Sequence, residues 1–266
     1  MAEITATLVK QLREDTGLGM MDCKKALEES GGDLEAAKEG LRKKGLATAE
    51  KKAGRATKEG LIAIQSSEDR TTAAMIEIQC ETDFCARNEQ FQGMVDDLVK
   101  MAYEAPLGAV KASDAMNQRL QDTLAKIGEN MSYARGVKIS APLVGRYLHH
   151  NHKVGVLVGL DGAVSDEILA DLCMHIAFAN PMGINPADIP ADLVAKEREF
   201  AKQQAIDSGK PAEIAEKMVE GKMKKFLAER ALMEQPFVKD DKKQVKAVLG
   251  GVKVTAFARF AVGEAG

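Results

Sequence analysis

The sequence predicts an α+β protein. Three short N-terminal helices precede two related subdomains, each an antiparallel β-hairpin followed by a helix, and a helical hairpin projects from the second. Apolar residues recur at helical spacing over residues 4–45, and strand-like runs of period two occur in pairs across polar turns. In addition, residues 101–108 (MAYEAPLG) match residues 176–183 (IAFANPMG) in class at the Met/Ile, Ala, aromatic, Pro and Gly positions, displaced by 75 residues.

Residues 1–45 form the first unit. Leu8, Val9 and Leu12 make an apolar stripe that Thr16 and Gly17 end, and Gly19 opens a second helix carrying Met20, Met21, Ala26 and Leu27. The Gly31-Gly32-Asp33 turn ends that helix and supplies an N-cap for a third, with Leu34, Ala37 and Leu41, closed at Gly45. Neighbours on a helix cannot both face one small core, so one of Met20 and Met21 is expected at the surface, available to a partner helix. Residues 46–59 read as a basic linker, since positions 42–58 hold seven basic residues against one acid with almost no apolar periodicity. A solvated tether and a surface for RNA or an acidic partner both fit that composition.

The first core subdomain covers residues 60–140. Runs 61–65 and 72–80 pair across Ser66-Ser67-Glu68-Asp69-Arg70, and the second run breaks within IEIQCETDFCARNEQF at 76–91. Ile76, Ile78 and Cys80 share one strand face, whereas Phe91, Met94, Val95, Leu98, Val99 and Ala102 repeat as a helix. Thr82, Asp83 and Phe84 sit at the corner between them, where the Phe is either a core plug or a wedge held out for a partner. The helix at 88–103 stops before Pro106 and Gly108, and a second at 114–130 carries Met116, Leu120, Leu124 and Ile127, with Gly128 exposing backbone near its end.

Strand patterns follow at 135–140, 145–149 and 154–160, then a helix at 165–179. The second subdomain, 141–263, includes a charge-rich helical hairpin at 190–235 whose helices, 192–208 and 211–235, are joined through Gly209-Lys210-Pro211. The chain returns through 244–249 to a final strand at 252–260, and 264–266 is a tail.

The balance of 37 basic and 40 acidic residues gives a net charge of −3, which argues against nucleic acid as the main partner. Four cysteines without a CxxC pair fit a reduced, cytoplasmic setting. With no export signal and no run near about 18 apolar residues, a soluble protein off the membrane is expected. The sequence lacks GxxxxGK[ST] and GxGxxG spacing, so no bound nucleotide or other cofactor is expected. His149, His150 and His152 suggest a metal, but without ligand spacing a surface loop is the simpler account, and no metal site is expected. Cys80 or Cys85 with a distant His would make a nucleophile and base, although no local signature accompanies them.

The segment LREDTGLGMMDCKKAL at 12–27 closely resembles the opening signature of the bacterial elongation factor Ts family, and Cys80-Glu81-Thr82-Asp83-Phe84 resembles its second signature. Further matches are Lys126-Ile127-Gly128-Glu129-Asn130, Gly155-Val156-Leu157-Val158, Ser208-Gly209-Lys210-Pro211 with EIAEKMVEG at 213–221, and Gln235-Pro236-Phe237-Val238. The resemblance spans residues 1–263 in the right order. It implies a UBA-like N-terminal domain and a guanine-nucleotide exchange factor, without enzymatic chemistry, for GDP-bound and nucleotide-free elongation factor Tu.

Carried over by position, Arg13, Met20 and Met21 would dock on a helix of the partner's nucleotide domain. Thr82, Asp83, Phe84 and Cys85 would act near its magnesium and phosphate site, Ile127 and Gly128 would approach its phosphate-binding loop, and His149 would touch another domain. Phe84 is then expected to be exposed in the free protein and Cys80 to stay in the core. Two departures stand out: many family members continue past residue 264 into another helix, and the 149–152 loop looks longer than usual. The projecting hairpin leaves self-association open, while an RNA-associated module using residues 42–58 and a cysteine-dependent enzyme are the competing classes.

Overall fold

A computed structural model describes residues 4–52, 54–207, 209 and 211–264. Helix α1 (Ala6–Thr16) starts where the Thr5 hydroxyl accepts the Leu8 N–H and ends at Gly17 in the left-handed region, φ 68°. Helix α2 (Met20–Glu29) follows, and the Asp33 carboxylate accepts the N–H groups of Glu35 and Ala36 at 2.9 and 3.0 Å to open α3 (Leu34–Lys52). Val9, Leu12, Cys23, Leu27, Ala37 and Leu41 close a small core between them.

Strands β1 (Glu59–Ser66) and β2 (Thr72–Cys80) form the first hairpin; after it come the one-turn helix α4 (Asp83–Ala86) and α5 (Glu89–Glu104). A two-residue strand β3 (Gly108–Ala109), helix α6 (Asp114–Ile127) and β4 (Met131–Ser140) complete an antiparallel sheet of order β1-β2-β4-β3. The second sheet, β5-β6-β9, is built from β5 (Leu143–Leu148), β6 (Val154–Leu160) and the distant β9 (Val254–Ala261). Between β6 and β9 run α7 (Asp166–Ala179), α8 (Ala191–Asp207), α9 (Ala212–Arg230), a small ribbon of β7 (Pro236–Phe237) and β8 (Asp240–Gln244), and α10 (Val245–Val248).

Strand alternation sorts the side chains into layers. Ile76, Ile78 and Cys80 of β2 join Phe91, Met94 and Leu98 beneath α5 and α6. Val156, Val158 and Leu160 of β6 join Leu172, Cys173 and Ile176 of α7. The remaining faces meet each other through Ile62, Met75, Val144, Leu157 and Phe260. Contact there is close at Gly155, where a Cβ would lie 2.6 Å from Ile62 Cγ2 and 2.8 Å from the Met75 sulfur. Helices α8 and α9 pack on each other through Ala201, Ala205, Val219, Met223 and Phe226, and Ser208 and Lys210 of the connecting motif lie outside the described residues, as do tail residues 265 and 266.

Several expectations need correction: α6 ends at Ile127 rather than at 130, where Gly128 takes the left-handed conformation, and α9 ends at Arg230 rather than at 235, giving way to a 3-10 turn at Leu232–Glu234. Gly45 does not stop the third helix, which runs on to Lys52 through most of the segment read as a linker. Ala, Glu and Lys in 47–52 are strong helix formers, and one interior Gly costs only about 1 kcal/mol relative to Ala. Gly45 serves as a notch, because a Cβ there would come 3.1 Å from that of Ala125 on α6. Strand β4 begins at Met131, earlier than 135, since Met131 and Tyr133 already pair with Cys80 and Ile78. The last strand begins at Val254, after Gly250 and Gly251 turn the chain at positive φ.

The two similar segments end α5 and α7 alike, just before Pro106 and Pro181, and Gly108 and Gly183 then each enter a bridge, with β4 and with Ala231. They differ in cover: the Lys138 ammonium lies 4.9 Å above the Tyr103 ring, whereas Phe178 is 82% exposed.

Buried His175 ties α7 to the base of the helical hairpin. Its Nε2 and Gln235 Oε1 are 2.9 Å apart, and its Nδ1 accepts the Val238 N–H at 3.2 Å, which assigns the proton to Nε2. Burial holds its pKa below the ordinary 6.5, opposed by the Gln235 bond. Because the folded value is depressed, the ring's contribution is complete above pH 6.5 and is lost as pH falls through the folded pKa. Urea unfolding from pH 7 to 5 is therefore expected to show a stability difference between wild type and His175→Gln that shrinks by up to about 1.4 kcal/mol per pH unit. A difference independent of pH would show that His175 titrates alike in both states.

Candidate partner-binding site

β2 ends at Cys80, and the chain turns through Glu81 into Thr82, whose extended backbone (φ −129°, ψ 158°) makes it the N-cap of α4. The Thr82 hydroxyl accepts the Cys85 N–H at 3.1 Å. It also donates to the Glu129 carboxylate, whose oxygens lie 2.9 and 3.0 Å away, and the Thr82 N–H donates to Glu129 Oε2 at 3.1 Å. One turn of helix then divides its residues by direction. Cys85 and Ala86 are buried, while Phe84 stands 80% exposed beside Asp83. Asp83 pairs with Arg87 at 3.2 Å across the turn, an exposed pair that adds little stability.

The opposing element is the end of α6. Gly128, at φ 81°, donates its N–H to Leu124 O at 2.7 Å, a conformation that favours glycine, and leaves Ile127 and Gly128 half-buried. Glu81 reaches across to accept the Asn130 N–H at 2.6 Å, and Asn130 Nδ2 donates to Arg55 O at 2.9 Å. The Asn130 bond, helped by Arg55, holds the Glu81 carboxyl below the usual range. Glu129 thus braces the corner from α6, Glu81 braces the α6 end from the corner, and the Lys52 ammonium donates to Gly128 O. Sequence reasoning missed Glu81, Glu129 and Asn130 as the braces, although all three lie within the quoted signature segments.

Met20 and Met21 are 55% and 74% exposed, so both are on the surface, where helix geometry alone required only one of them to be. They occupy the first turn of α2, which projects beyond the core before its first buried residue, Cys23. Arg13 is exposed on α1. His149 lies in the other sheet's turn, half-buried, with Nδ1 at 2.6 Å from the Tyr147 hydroxyl. His150 and His152 line an open groove of about 760 Å³ together with Asp83, Arg87, Asp96 and Lys100. The histidine turn and the Phe84 corner therefore border one depression, a proximity that no local sequence signal carried.

Cys85, grouped with the partner-facing tip, is only 2% exposed and anchors the corner from below. A hydrogen bond with Cys80 and then burial push its thiol well above the ordinary range, and burial pushes Cys173 up to about 12. All four thiols are buried, and those of Cys85 and Cys173 stay protonated at neutral pH. A thiolate nucleophile at either has no support.

The cross-braced corner presents an exposed aromatic beside a half-buried acid, and a separate helical unit exposes two adjacent methionines. Residues 81–264 match the family model for elongation factor Ts. The elongation factor Ts of Hahella chejuensis is 46% identical over 268 residues, covering 99% of this chain and 93% of that protein. That of Aeromonas hydrophila is 47% identical over 274 residues, covering 99% and 92%, and that of Thioalkalivibrio sulfidiphilus is 45% identical over 272, covering 98% and 92%. The chain belongs to the elongation factor Ts family of translation elongation factors. Among the described residues no helix is long and apolar enough to cross a membrane.

The Glu81–Asn130 brace has a pH signature. A depressed carboxyl pKa means that the bond is present above the ordinary value of 4.5 and is lost as pH falls through the lower folded value. The Asn130 amide proton resonance should titrate with a midpoint below 4.5, moving upward in Arg55→Ala. A midpoint at or above 4.5 in the wild type would remove the brace.

Proposed function

We propose that this chain is a cytoplasmic guanine-nucleotide exchange factor for elongation factor Tu, speeding GDP release by disturbing the partner's magnesium and phosphate site. The observation that carries this is Phe84, 80% exposed beside Asp83 on a corner whose neighbours are buried and braced. Asp83 and Phe84 act as the tip, with Thr82 and Cys85 holding it. Arg13, Met20 and Met21 dock on a helix of the nucleotide domain, Ile127 and Gly128 approach the phosphate-binding loop, and His149 meets another domain. In this anatomy residues 1–52 are the docking unit, 60–140 the tip-bearing subdomain, and 141–263, with the hairpin at 190–235, the second.

Linkage supplies the mechanism. If the factor binds the nucleotide-free partner more tightly than the GDP-bound one, GDP is weakened by the same free energy when the factor is bound. About 4 kcal/mol of coupling corresponds to roughly a thousandfold. Phe84 contributes only by filling a pocket that opens as magnesium ligation is disturbed, because an interaction equal in both states shifts nothing. The RNA alternative would draw on the seven basic residues at 42–58, set against an overall net charge of −3.

Mixing the protein with GDP-loaded elongation factor Tu and timing release of labelled GDP tests the proposal. Phe84→Ala should fold normally, since its side chain is exposed, and lower the stimulated rate at least about tenfold, or roughly 1.4 kcal/mol. Undiminished exchange by a folded variant would count against the tip. Met20→Asp should weaken complex formation in titration calorimetry without lowering the thermal midpoint of the free protein, and equal affinity would remove the docking role.

A further inference from the structure

Glu77 lies on the β2 face turned toward the second sheet, in line with Ala73 and Met75, and is 0% exposed. Its Oε2 accepts Arg135 Nε of β4 at 2.7 Å. Its Oε1 accepts Gln79 Nε2 at 2.8 Å and the backbone N–H of Gly263 at 3.0 Å. A second Arg135 nitrogen donates to Ala261 O at 3.2 Å, and the guanidinium lies 4.5 Å from the centre of the Phe260 ring. Two charged side chains of the first sheet therefore grip residues 260–263, at the end of β9 in the second sheet, by a ring, a carbonyl and an amide.

A buried ion pair is a poor route to stability, since apolar side chains of similar volume commonly serve as well. Directionality is what it adds. The apolar contact between the sheets, through Met75, Leu157 and Phe260, carries no direction of its own, whereas a carboxylate that must meet Nε and an amide together does, adding at this end of β2 to the bonds from the Ile62 N–H to His152 O at 2.8 Å and from the Val144 N–H to Arg70 O at 2.7 Å. The pairing of β2 with β4 shifts register between Glu77 and Ile78, immediately beyond the grip, and bulges re-aim the strand they interrupt. Past that bulge only Ile78, Gln79 and Cys80 remain before the corner, and Gln79 is held from below by Glu77 and from the side by the Thr57 hydroxyl at 3.2 Å.

We infer that Glu77 and Arg135 are positioning residues that lock the angle between the two sheets, and so fix Phe84 on the first relative to the contacts made by the second. This rests on the exchange function proposed above. It assigns to the pair the setting of the maximal exchange rate, as distinct from the mere maintenance of fold.

The test replaces both by apolar residues, Glu77→Met with Arg135→Met, and reads three quantities. Spin labels at Asn117→Cys and Glu167→Cys, selective because the native thiols are buried, report the distance distribution between the subdomains. The thermal midpoint should hold or rise, the distance distribution should broaden, and the maximal GDP-release rate at saturating factor should fall about tenfold. The factor concentration giving half that rate should change less. An unchanged distribution overturns the lock, and a broadened distribution with an unchanged maximal rate overturns the positioning role. If the double variant does not fold, Arg135→Lys, which keeps the charge but loses the fork to Ala261, should give the same effects in milder form, and wild-type behaviour would overturn the inference. If wild-type protein does not accelerate release, the exchange proposal and the positioning role fall together, while the distance measurement still decides the lock.

Discussion

Strand β2 is packed on both faces, and this constrains the molecule more than any other feature. Ala74, Ile76, Ile78 and Cys80 point into the helical core, and Ala73, Met75 and Glu77 point toward the second sheet. A slip of one residue would exchange these sets, driving Glu77 among Phe91 and Leu98 and presenting Ile76 to Arg135. The burial of an unpaired carboxylate alone would cost several kcal/mol. Register is therefore fixed, and with it the point at which the strand gives out into Thr82.

From that fixed end the corner is shaped by short-range chemistry. Thr82 caps four residues, so one turn of helix sends Cys85 and Ala86 inward and Phe84 outward. Full burial of a Phe is worth about 1.5–3 kcal/mol relative to exposure, so an outward Phe84 forgoes a sizeable share of a typical domain's net stability of about 5–15 kcal/mol. The local backbone leaves no alternative: the inward positions are filled, and Glu129 fixes the cap from outside the corner.

Features written in nearby residues were legible in the sequence. The Asp33 cap, the Gly17 and Gly128 helix ends, both hairpins and the period-two faces all depend on chemistry within a few positions. Gly45 misled because a glycine that ends a helix and one that lets another helix approach look the same without the neighbour, here Ala125. Met20 and Met21 were both exposed because α2 begins one turn before its core contact, a matter of where two helices cross. The resemblance groups Cys85 with Phe84 by position, and it is the turn of α4, invisible in a list of neighbours, that buries the one and exposes the other. The Glu77–Arg135 bond spans 58 residues and the Glu77–Gly263 bond 186, and in a strand pattern Glu77 reads simply as the polar member of an alternation.

The braces acquire meaning when set against the entropy of binding. Ordering the backbone of one residue costs about 1–2 kcal/mol, so a mobile four-residue tip would lose roughly 4–8 kcal/mol on engaging a partner. That loss equals or exceeds the approximately 4 kcal/mol of coupling that a thousandfold weakening of GDP requires. A flexible wedge of the same composition would consume its own driving force. Folding has already met this cost here through the Thr82 cap, the reciprocal Glu81 and Glu129 bonds, and the sheet beneath, so that under the proposed exchange function whatever Phe84 gained in a partner's pocket would be available to shift the partner's equilibrium.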